Sequence, residues 1–462
     1  VTNRQAASIE GAFERALGEI LARVSASAPR FAVAYSGGLD SAVLLHLASS
    51  YARVHGIELI AFHVHHGLSN NADAWLAHCE RGCAALGVSF DARRVSVESV
   101  DRHGLEQAAR TSRYRALGDL SRLHGVHVLL TAHHLDDQAE TVLLQLLRGS
   151  GLPGLSGMAF CGGAPALLGF DTPLLARPLL ERSRAELEAF AVRHGISHIV
   201  DESNEDLRYA RNAIRHAVTP VLNEYFPGYQ HRLSRVAAHA QSAQRLLDEL
   251  AAMDWQSCSA GSQLDLSCFA VLSQDRQYNL LRYWLSQNGM RMPSTAWLFE
   301  MRTQLLCASK DAQVRVVHPQ CEVHTYRGRA YLVSHMPLPI ETAKVQAFRW
   351  QGQGRIPFPA FGGELYFEGA AEGVSSEWLM AQLLEIRHRQ GGEKLKLSPG
   401  RPTRSLKHHY QDLNIPAWER QRLPVVFAGG RLVFAAGIGM SHLSHLKNPG
   451  SLIQMHWVND IK

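Results

Sequence analysis

The sequence predicts an α/β domain built on a parallel sheet, then a mainly helical region, then a small α+β domain. Three observations carry this prediction. Over roughly the first 200 residues, short apolar runs alternate with helical stripes of about 12 to 20 residues, the spacing of a parallel sheet covered on both faces. Helical periodicity then dominates to about residue 307, and short β-like runs return after residue 362. The expected domains are 1–225, 226–340 and 362–445.

In chain order, Arg30 to Tyr35 (RFAVAY) reads as a strand, Ser36 to Ser41 (SGGLDS) as a glycine loop, and the following residues as a helix with Ala42, Leu45 and Ala48 in one stripe. Strands follow at Ile57–Val64, Val88–Val97 and Val126–Ala132. Helices follow at Ala72–Leu86, Gly104–Leu123 and Asp136–Leu147. In the last helix Leu143, Leu146 and Leu147 read as the buried stripe, leaving its acidic first turns exposed. Gly149 to Gly163 is glycine-rich and aperiodic, and reads as a loop. Ser183 and Glu186 have capping-box spacing and start a helix that reaches about His194. Further helices are expected at Arg232–Met253, Asp275–Ser286 and Thr295–Cys307. Val314 to Val333 alternates like a hairpin that turns near Tyr326 to Arg329. Residues 338–360 read as a linker with short strands. The last domain offers the β-like runs LYFEGA, PVVFAGG and RLVFAAG around one central helix.

At 462 residues, with 46% hydrophobic and 19% charged residues, the chain can bury sizeable cores without cross-links. Its seven cysteines include no CxxC pair, which argues against a zinc knuckle or an iron–sulfur cluster. No apolar run reaches the roughly eighteen residues of a membrane span, and the first residues (VTNRQAASIEGAFER) lack a signal-peptide core. A reducing cytoplasm is the expected setting. The net charge of +5 is modest, but its distribution is uneven. Arg387, Arg389, Lys394, Lys396, Arg401, Arg404 and Lys407 face only Glu393 among acids in that segment, a local +6 that leaves about −1 for the rest. Such a patch suits a phosphate-rich partner.

The chemistry concentrates in two motifs. In Ser36-Gly37-Gly38-Leu39-Asp40-Ser41, two glycines let backbone N–H groups turn toward an anion at a helix N-terminus. Ser36 and Ser41 offer hydroxyls there, and Asp40 offers a carboxylate for Mg²⁺ bridging phosphates. At this strand–loop–helix neither a GK[ST] ending nor GxGxxG is present, which argues against an ordinary P-loop or dinucleotide fold. The second motif, His133 to Thr141 (HHLDDQAET), starts at a strand end, where open α/β sheets place ligands. Its Asp136, Asp137, Glu140 and His133 could hold Mg²⁺, a ligand ammonium, or both. Cys79 and Cys83 share one helix face and read as core.

These motifs, with HVHHGL at 63–68, EQAARTSRY at 106–114, GLSGM at 154–158, RPLL at 177–180 and DESNEDLRYARNAIR at 201–215, are similar to those of the tRNA(Ile)-lysidine synthetase family, in the PP-loop (N-type) ATP pyrophosphatase superfamily. The resemblance covers nearly the whole chain and resembles the longer subgroup with two extra C-terminal domains. Ser69 stands where many members carry arginine, so no arginine role transfers there.

The resemblance implies an ATP- and Mg²⁺-dependent ligase that attaches free L-lysine to C2 of the wobble cytidine in the CAU anticodon of tRNA(Ile). It implies residues 36–41, Arg113 and His133 for ATP, Asp40 and Asp137 for Mg²⁺, and Asp136 and Glu140 for lysine. Arg110, Arg208, Arg211, Asn212 and Arg215, with the basic segment at 387–407, are expected to meet phosphate or RNA. No obligate protein partner is expected. A tRNA sulfur transferase of the same superfamily and a non-catalytic RNA-binding protein are the competing readings. The missing CxxC pair weighs against the first, and the intact glycine loop and acidic cluster against the second.

Overall fold

Strands β1 (Arg30–Ala34), β2 (Glu58–His65), β3 (Ser89–Arg94), β4 (Val128–Leu130), β5 (Cys161–Gly163) and β6 (Leu174–Ala176) form one sheet in the order β3-β2-β1-β4-β6-β5. Every pairing is parallel except that of the edge strand β5 with β6. The computed structural model describes residues 8–67, 71–96, 102–170, 173–200, 208, 210–290, 292–307, 314–334, 345–442 and 451–459, with backbone alone over 102–107 and at 334. They fall into two compact units, Val1–Leu250 and Ala251–Lys462.

In the first unit, alternate strand residues point to opposite faces, as the pleat requires. Phe31, Val33, Val128 and Leu130 join a core with α1 (Ile9–Leu21), α2 (Leu39–His55) and later α8 (Arg184–His194). Cys79 and Cys83 on α3 (Ala72–Leu86) are buried in that same core. Ala32, Ile60, Phe62 and Leu129 face the other way, toward α4 (Arg102–Leu123). Helix α5 (Leu135–Leu147) leaves β4, and the chain continues through the single turns α6 (Leu152–Leu155) and α7 (Pro165–Leu168). A Cβ at Gly118 on α4 would lie 2.1 Å from the Leu168 carbonyl oxygen, so this packing needs glycine. The expected cap of α8 is present: Glu186 accepts from Ser183 N at 2.7 Å, and Ser183 Oγ accepts from Glu186 N at 3.3 Å. The glycine-rich stretch expected to be loop contains both α6 and β5, elements too short for a periodic signal.

The unit closes with α9 (Ala210–Ala213), a π-helical turn (Ile214–Val218), α10 (Thr219–Tyr225) and the first part of α11 (Tyr229–Cys258). Gln241 donates to the Ser156 carbonyl at 2.7 Å, tying α11 to this unit beyond the expected boundary at 225.

In the second unit, α12 (Leu266–Val271), α13 (Gln274–Gln287) and α14 (Thr295–Cys307) pack on a five-stranded sheet of β7 (Ser259–Ala260), β8 (Gln263–Asp265), β9 (Arg315–His318), β10 (Cys321–Tyr326) and β11 (Arg329–Ser334). The expected hairpin over 314–333 has three strands, because a second turn at Pro319–Gln320 separates β9 from β10. The remaining chain forms β12 (Gln346–Phe348), β13 (Arg355–Phe358), β14 (Gly363–Ser375), α15 (Ser376–Ala381), β15 (Leu384–His388), β16 (Lys394–Leu395), β17 (Arg404–Ser405), α16 (Leu406–Asp412), α17 (Ala417–Arg420), β18 (Pro424–Ala428), β19 (Arg431–Ala435), β20 (Gly439–Met440) and β21 (Leu452–Asn459). Strand β21 pairs with β14, so this fold runs past the expected end at 445. Trp418 packs on His324 and Tyr331 of the preceding sheet, with ring centroids 4.6 and 5.3 Å away.

Candidate active site

The β1–α2 and β4–α5 loops meet where the strand order reverses between β1 and β4, the crevice in which open α/β sheets bind ligands. Gly37 has φ +88°, and a Cβ there would lie 2.6 Å from Ile199 Cδ1 and 2.9 Å from Cys79 Sγ. Ile199 N donates to the Gly37 carbonyl at 2.9 Å, so residues on both sides hold the loop. Leu39 opens α2, with Gly38 as its N-cap. The serine hydroxyls are engaged within the loop: Ser41 Oγ donates to the Gly38 carbonyl at 2.9 Å and lies 3.1 Å from Ser36 Oγ. That leaves backbone N–H groups and the helix end as the anion-facing features.

Asp40 points toward α5. Its Oδ1 is buried without a hydrogen-bond partner among the described residues, and its Oδ2 lies 3.7 Å from His134 Nε2. His134 is 1% exposed and sits among three carboxylates. Its Nε2 is 3.4 Å from Asp137 Oδ2, and its Nδ1 is 3.6 Å from Asp136 Oδ2. Burial works against a charged ring, but Asp136, Asp40 and Asp137 together raise its pKa to about 10. His133 is the opposite case. Burial, assisted by the charges of Arg177 and Arg110, lowers its pKa to about 3, and its Nδ1 bonds Thr131 Oγ1 at 2.9 Å. The sequence singled out His133 and passed over His134; the signal available was the second histidine, two residues before Asp136 at the start of the acidic helix.

Asp136 accepts from Arg184 N at 2.8 Å and from Gln230 Nε2 at 3.3 Å. Burial opposes its charge, yet these bonds and His134 hold its pKa at about 2. Asp137 accepts from His134 N at 3.1 Å. Burial pushes its carboxyl up, but the charges of His134 and Arg211 and the His134 N–H bond together hold it below the ordinary value. Gln230 had no sequence signal as a site residue.

The buried face of α5 differs from the sequence expectation. Glu140 is only 3% exposed, whereas Leu146 and Leu147 are 55% and 73% exposed. The cause is tertiary: the segment at 210–218 covers the acidic half of the helix and leaves its last turn in solvent. Arg215 forks Glu140 at 2.7 and 3.0 Å and reaches Asp137 at 3.5 Å. Arg211 Nε lies 3.4 Å from Glu140 Oε2, and its Nη2 donates to Thr141 Oγ1 at 2.9 Å. Burial pushes the Glu140 carboxyl up and the Arg215 fork pulls against it; Arg215 is itself held charged by Glu140. Thus two arginines expected to meet RNA turn their guanidinium groups to carboxylates. Asn212 is buried beside them and Arg208 is exposed.

Arg113 donates to His66 Nε2 at 3.2 Å, and burial with the Arg113 charge lowers the His66 pKa to about 4. Arg110 lies over the Tyr114 ring. Ser69, residues 201–207 and the side chain of Glu106 lie outside what the structure describes.

In the second unit, Lys394, Arg401, Arg404 and Lys407 are exposed on and around the β16–β17 ribbon. Arg387, Arg389 and Lys396 are half-buried, the first two over Phe427 and Tyr410. Glu393 accepts from Gln390 N at 2.6 Å and Gly391 N at 2.9 Å, so the single acid of the patch closes its own loop.

A glycine loop and an acidic helix facing each other across a parallel-sheet switch point define a nucleotide-binding α/β domain of PP-loop type, and residues 9–222 match the PP-loop domain family. Residues 264–331 match the TilS substrate binding domain, and residues 384–457 the TilS substrate C-terminal domain. The chain is 43% identical over 426 residues to the tRNA(Ile)-lysidine synthase of Ralstonia nicotianae, covering 90% of each. It is 40% identical over 480 residues to that of Burkholderia mallei, covering 96% of each. Among solved structures it is similar to the U34-tRNA thiolase NcsA from Methanococcus maripaludis, with 17% identity, a TM-score of 0.41, and coverage of 50% of this chain and 77% of that one. The chain belongs to the tRNA(Ile)-lysidine synthase family of enzymes.

Proposed function

We propose that the chain ligates free L-lysine to C2 of the wobble cytidine in the CAU anticodon of tRNA(Ile), at the expense of ATP and in the cytoplasm. The observation that carries this reading is the glycine loop, with its Asp40, facing Asp136, Asp137 and Glu140 of α5 in a chain of this family. The cytidine C2 oxygen attacks the α-phosphate, a P–O bond forms, and pyrophosphate leaves. The lysine ε-amine then forms the C–N bond, and the C–O bond to AMP breaks.

The loop at 36–41 binds and orients the pyrophosphate through backbone N–H groups, with Arg113 as a further phosphate ligand. Positioning and charge neutralisation dominate phosphoryl chemistry of this kind. Asp40 and Asp137 fit Mg²⁺, since Asp40 Oδ1 is a buried oxygen without a partner among the described residues. No three His, Cys, Asp or Glu side chains among the described residues form a metal cage. One or two carboxylates completed by phosphate oxygens is the usual Mg²⁺ arrangement. Bound there, Mg²⁺ supplies neutralisation of phosphate charge. Neutral His133 suits hydrogen bonding more than proton storage. Lysine, with an ordinary pKa of about 10.4, must lose a proton before attack. Asp136 and Glu140 are the carboxylates for its ammonium groups, Glu140 in exchange with Arg215. Arg208 and the basic ribbon meet RNA phosphate, and Asn212 fixes the local backbone.

The test is incubation of the purified chain with ATP, Mg²⁺, labelled lysine and candidate tRNAs. Lysine should appear on tRNA(Ile) with a CAU anticodon, with one pyrophosphate released per lysine. Sulfur-dependent, lysine-independent ATP use would replace this reading with thiolation.

A further inference from the structure

We propose that the outer face of residues 218–226 is a stacking platform for unpaired nucleobases that flank the reacting cytidine in the RNA substrate. This rests on the reading above that the substrate is a tRNA anticodon loop.

Val218, Val221, Tyr225 and Phe226 are 40%, 53%, 68% and 55% exposed. Their spacing puts the first three on one face of the π turn and α10, with Phe226 at its end. Exposed apolar groups gathered in one place mark interaction surfaces more than lone ones do. This face stands beside the chemistry. Arg215, just before it, forks Glu140, and Gln230, just after it, donates to Asp136. Phe226 is four residues from Gln230, so its backbone lies within about 14 Å of that anchor even if the chain is fully extended. Arg232 donates to the Pro227 carbonyl at 3.1 Å and fixes the corner.

Charge identifies the occupant. Arg211 and Arg215 are taken up by the α5 carboxylates, but residues 216–247 add three further arginines, Arg232, Arg235 and Arg245, against one acid, Glu224. Arg232 and Arg235 are exposed on α11. An apolar, aromatic face flanked by arginines matches a polyanion whose bases are unpaired. Extracting one base from a loop removes a stacking partner from its neighbours, and an aromatic ring can replace that partner whatever the base identity.

The experiment uses the full chain with Tyr225→Ala, Phe226→Ala and the double variant, plus Tyr225→Phe, which keeps the ring. RNA affinity and salt dependence are measured on intact tRNA. Stacking is read from the fluorescence of 2-aminopurine placed beside the wobble position. Each alanine should weaken RNA binding roughly tenfold, the size expected of a stacked base. It should leave the salt slope and ATP binding unchanged, because a ring carries no charge. The wild type should quench 2-aminopurine, Tyr225→Phe should quench nearly as much, and the double variant should not. Unchanged RNA affinity and quenching in a double variant that still binds ATP would overturn the proposal. So would a wild-type dimer in sedimentation that the double variant converts to monomer, since the face would then belong to a second copy. If the wild type puts no lysine on any tRNA, the proposed function itself fails, whatever these variants do, and the platform falls with it.

Discussion

Arg211 and Arg215 carry the same charge as the arginines and lysines of the 394–407 ribbon, but into opposite surroundings. The first pair sits against α5, with Glu140 forked and buried beneath it. The ribbon's Lys394, Arg401, Arg404 and Lys407 stand in solvent. Arg404 meets Asp412 at 3.4 Å, an exposed pair of a kind worth little. Residue type alone therefore does not say what an arginine does. A guanidinium paired in a buried site holds geometry, is weakly screened by salt, and is costly to remove. Exposed cations act together, on a partner, and lose their grip as salt rises.

The largest effect should come from the buried side. Asp40→Ala removes the loop carboxylate that faces His134 and the acidic helix. Pyrophosphate release should fall at least about a hundredfold, close to 3 kcal/mol in the barrier. Affinity for tRNA should stay near that of the wild type, because the ribbon is untouched. Full pyrophosphate release by this variant would remove Asp40 from any Mg²⁺ role.

Next in size is the Arg215–Glu140 pair. Arg215→Gln leaves a buried carboxylate without its fork and should cost about 3 kcal/mol of stability near neutral pH, read as a drop in Tm. The sign of its pH dependence follows from Glu140. Burial already raises this carboxyl, and without Arg215 the rise grows. A raised folded-state pKa gives stability that is fully present below the ordinary carboxylate value and is lost as pH rises through the folded value. The variant should therefore recover on acidification, and Arg215→Gln with Glu140→Gln should recover at neutral pH. A variant as stable as wild type at every pH would mean the fork contributes nothing. Glu140→Gln alone should spare cytidine adenylation and impair lysine transfer. Failure to form the adenylated RNA, followed by mass spectrometry, would move Glu140 to the metal.

Much of this contrast was hidden from the sequence for a physical reason. Local pattern located the elements: α3 runs Ala72–Leu86 as expected, and Ser183 caps α8 with Glu186. The glycine loop and the acidic helix were legible because each is a contiguous motif. The orientation of α5 was not, because the segment that buries Glu140 lies 75 residues further on. The leucines at 143, 146 and 147 looked like a core stripe only in the absence of that cover. Strand β21 was missed for the same kind of reason, since its partner β14 lies far back in the chain. His134 was in view, but choosing between adjacent histidines needs the positions of Asp40 and Asp136.

The smallest effects per residue should come from the ribbon, and they separate the two regions most cleanly. Lys394, Arg401, Arg404 and Lys407 are exposed, and Glu393 is occupied by the backbone of its own loop. Replacing these four by glutamine should leave folding almost unchanged, since exposed substitutions of this kind stay within about 0.5 kcal/mol. Phosphate-binding side chains set register rather than read bases, so affinity for intact tRNA should fall regardless of anticodon sequence. Every cation that no longer neutralises a phosphate should lower the slope of log affinity against log salt by roughly 0.7 to 0.9. Arg215→Gln is the internal control. Its guanidinium is already paired, so its removal should leave that slope nearly where it was while lowering Tm. An isolated anticodon stem-loop should be handled by the ribbon variant almost as by the wild type. Unchanged affinity and slope on intact tRNA would reduce the ribbon to a solubilising surface. Equal losses on stem-loop and intact tRNA would instead require the ribbon to act at the anticodon itself, and the contrast between a site that holds geometry and a surface that holds phosphate would no longer stand.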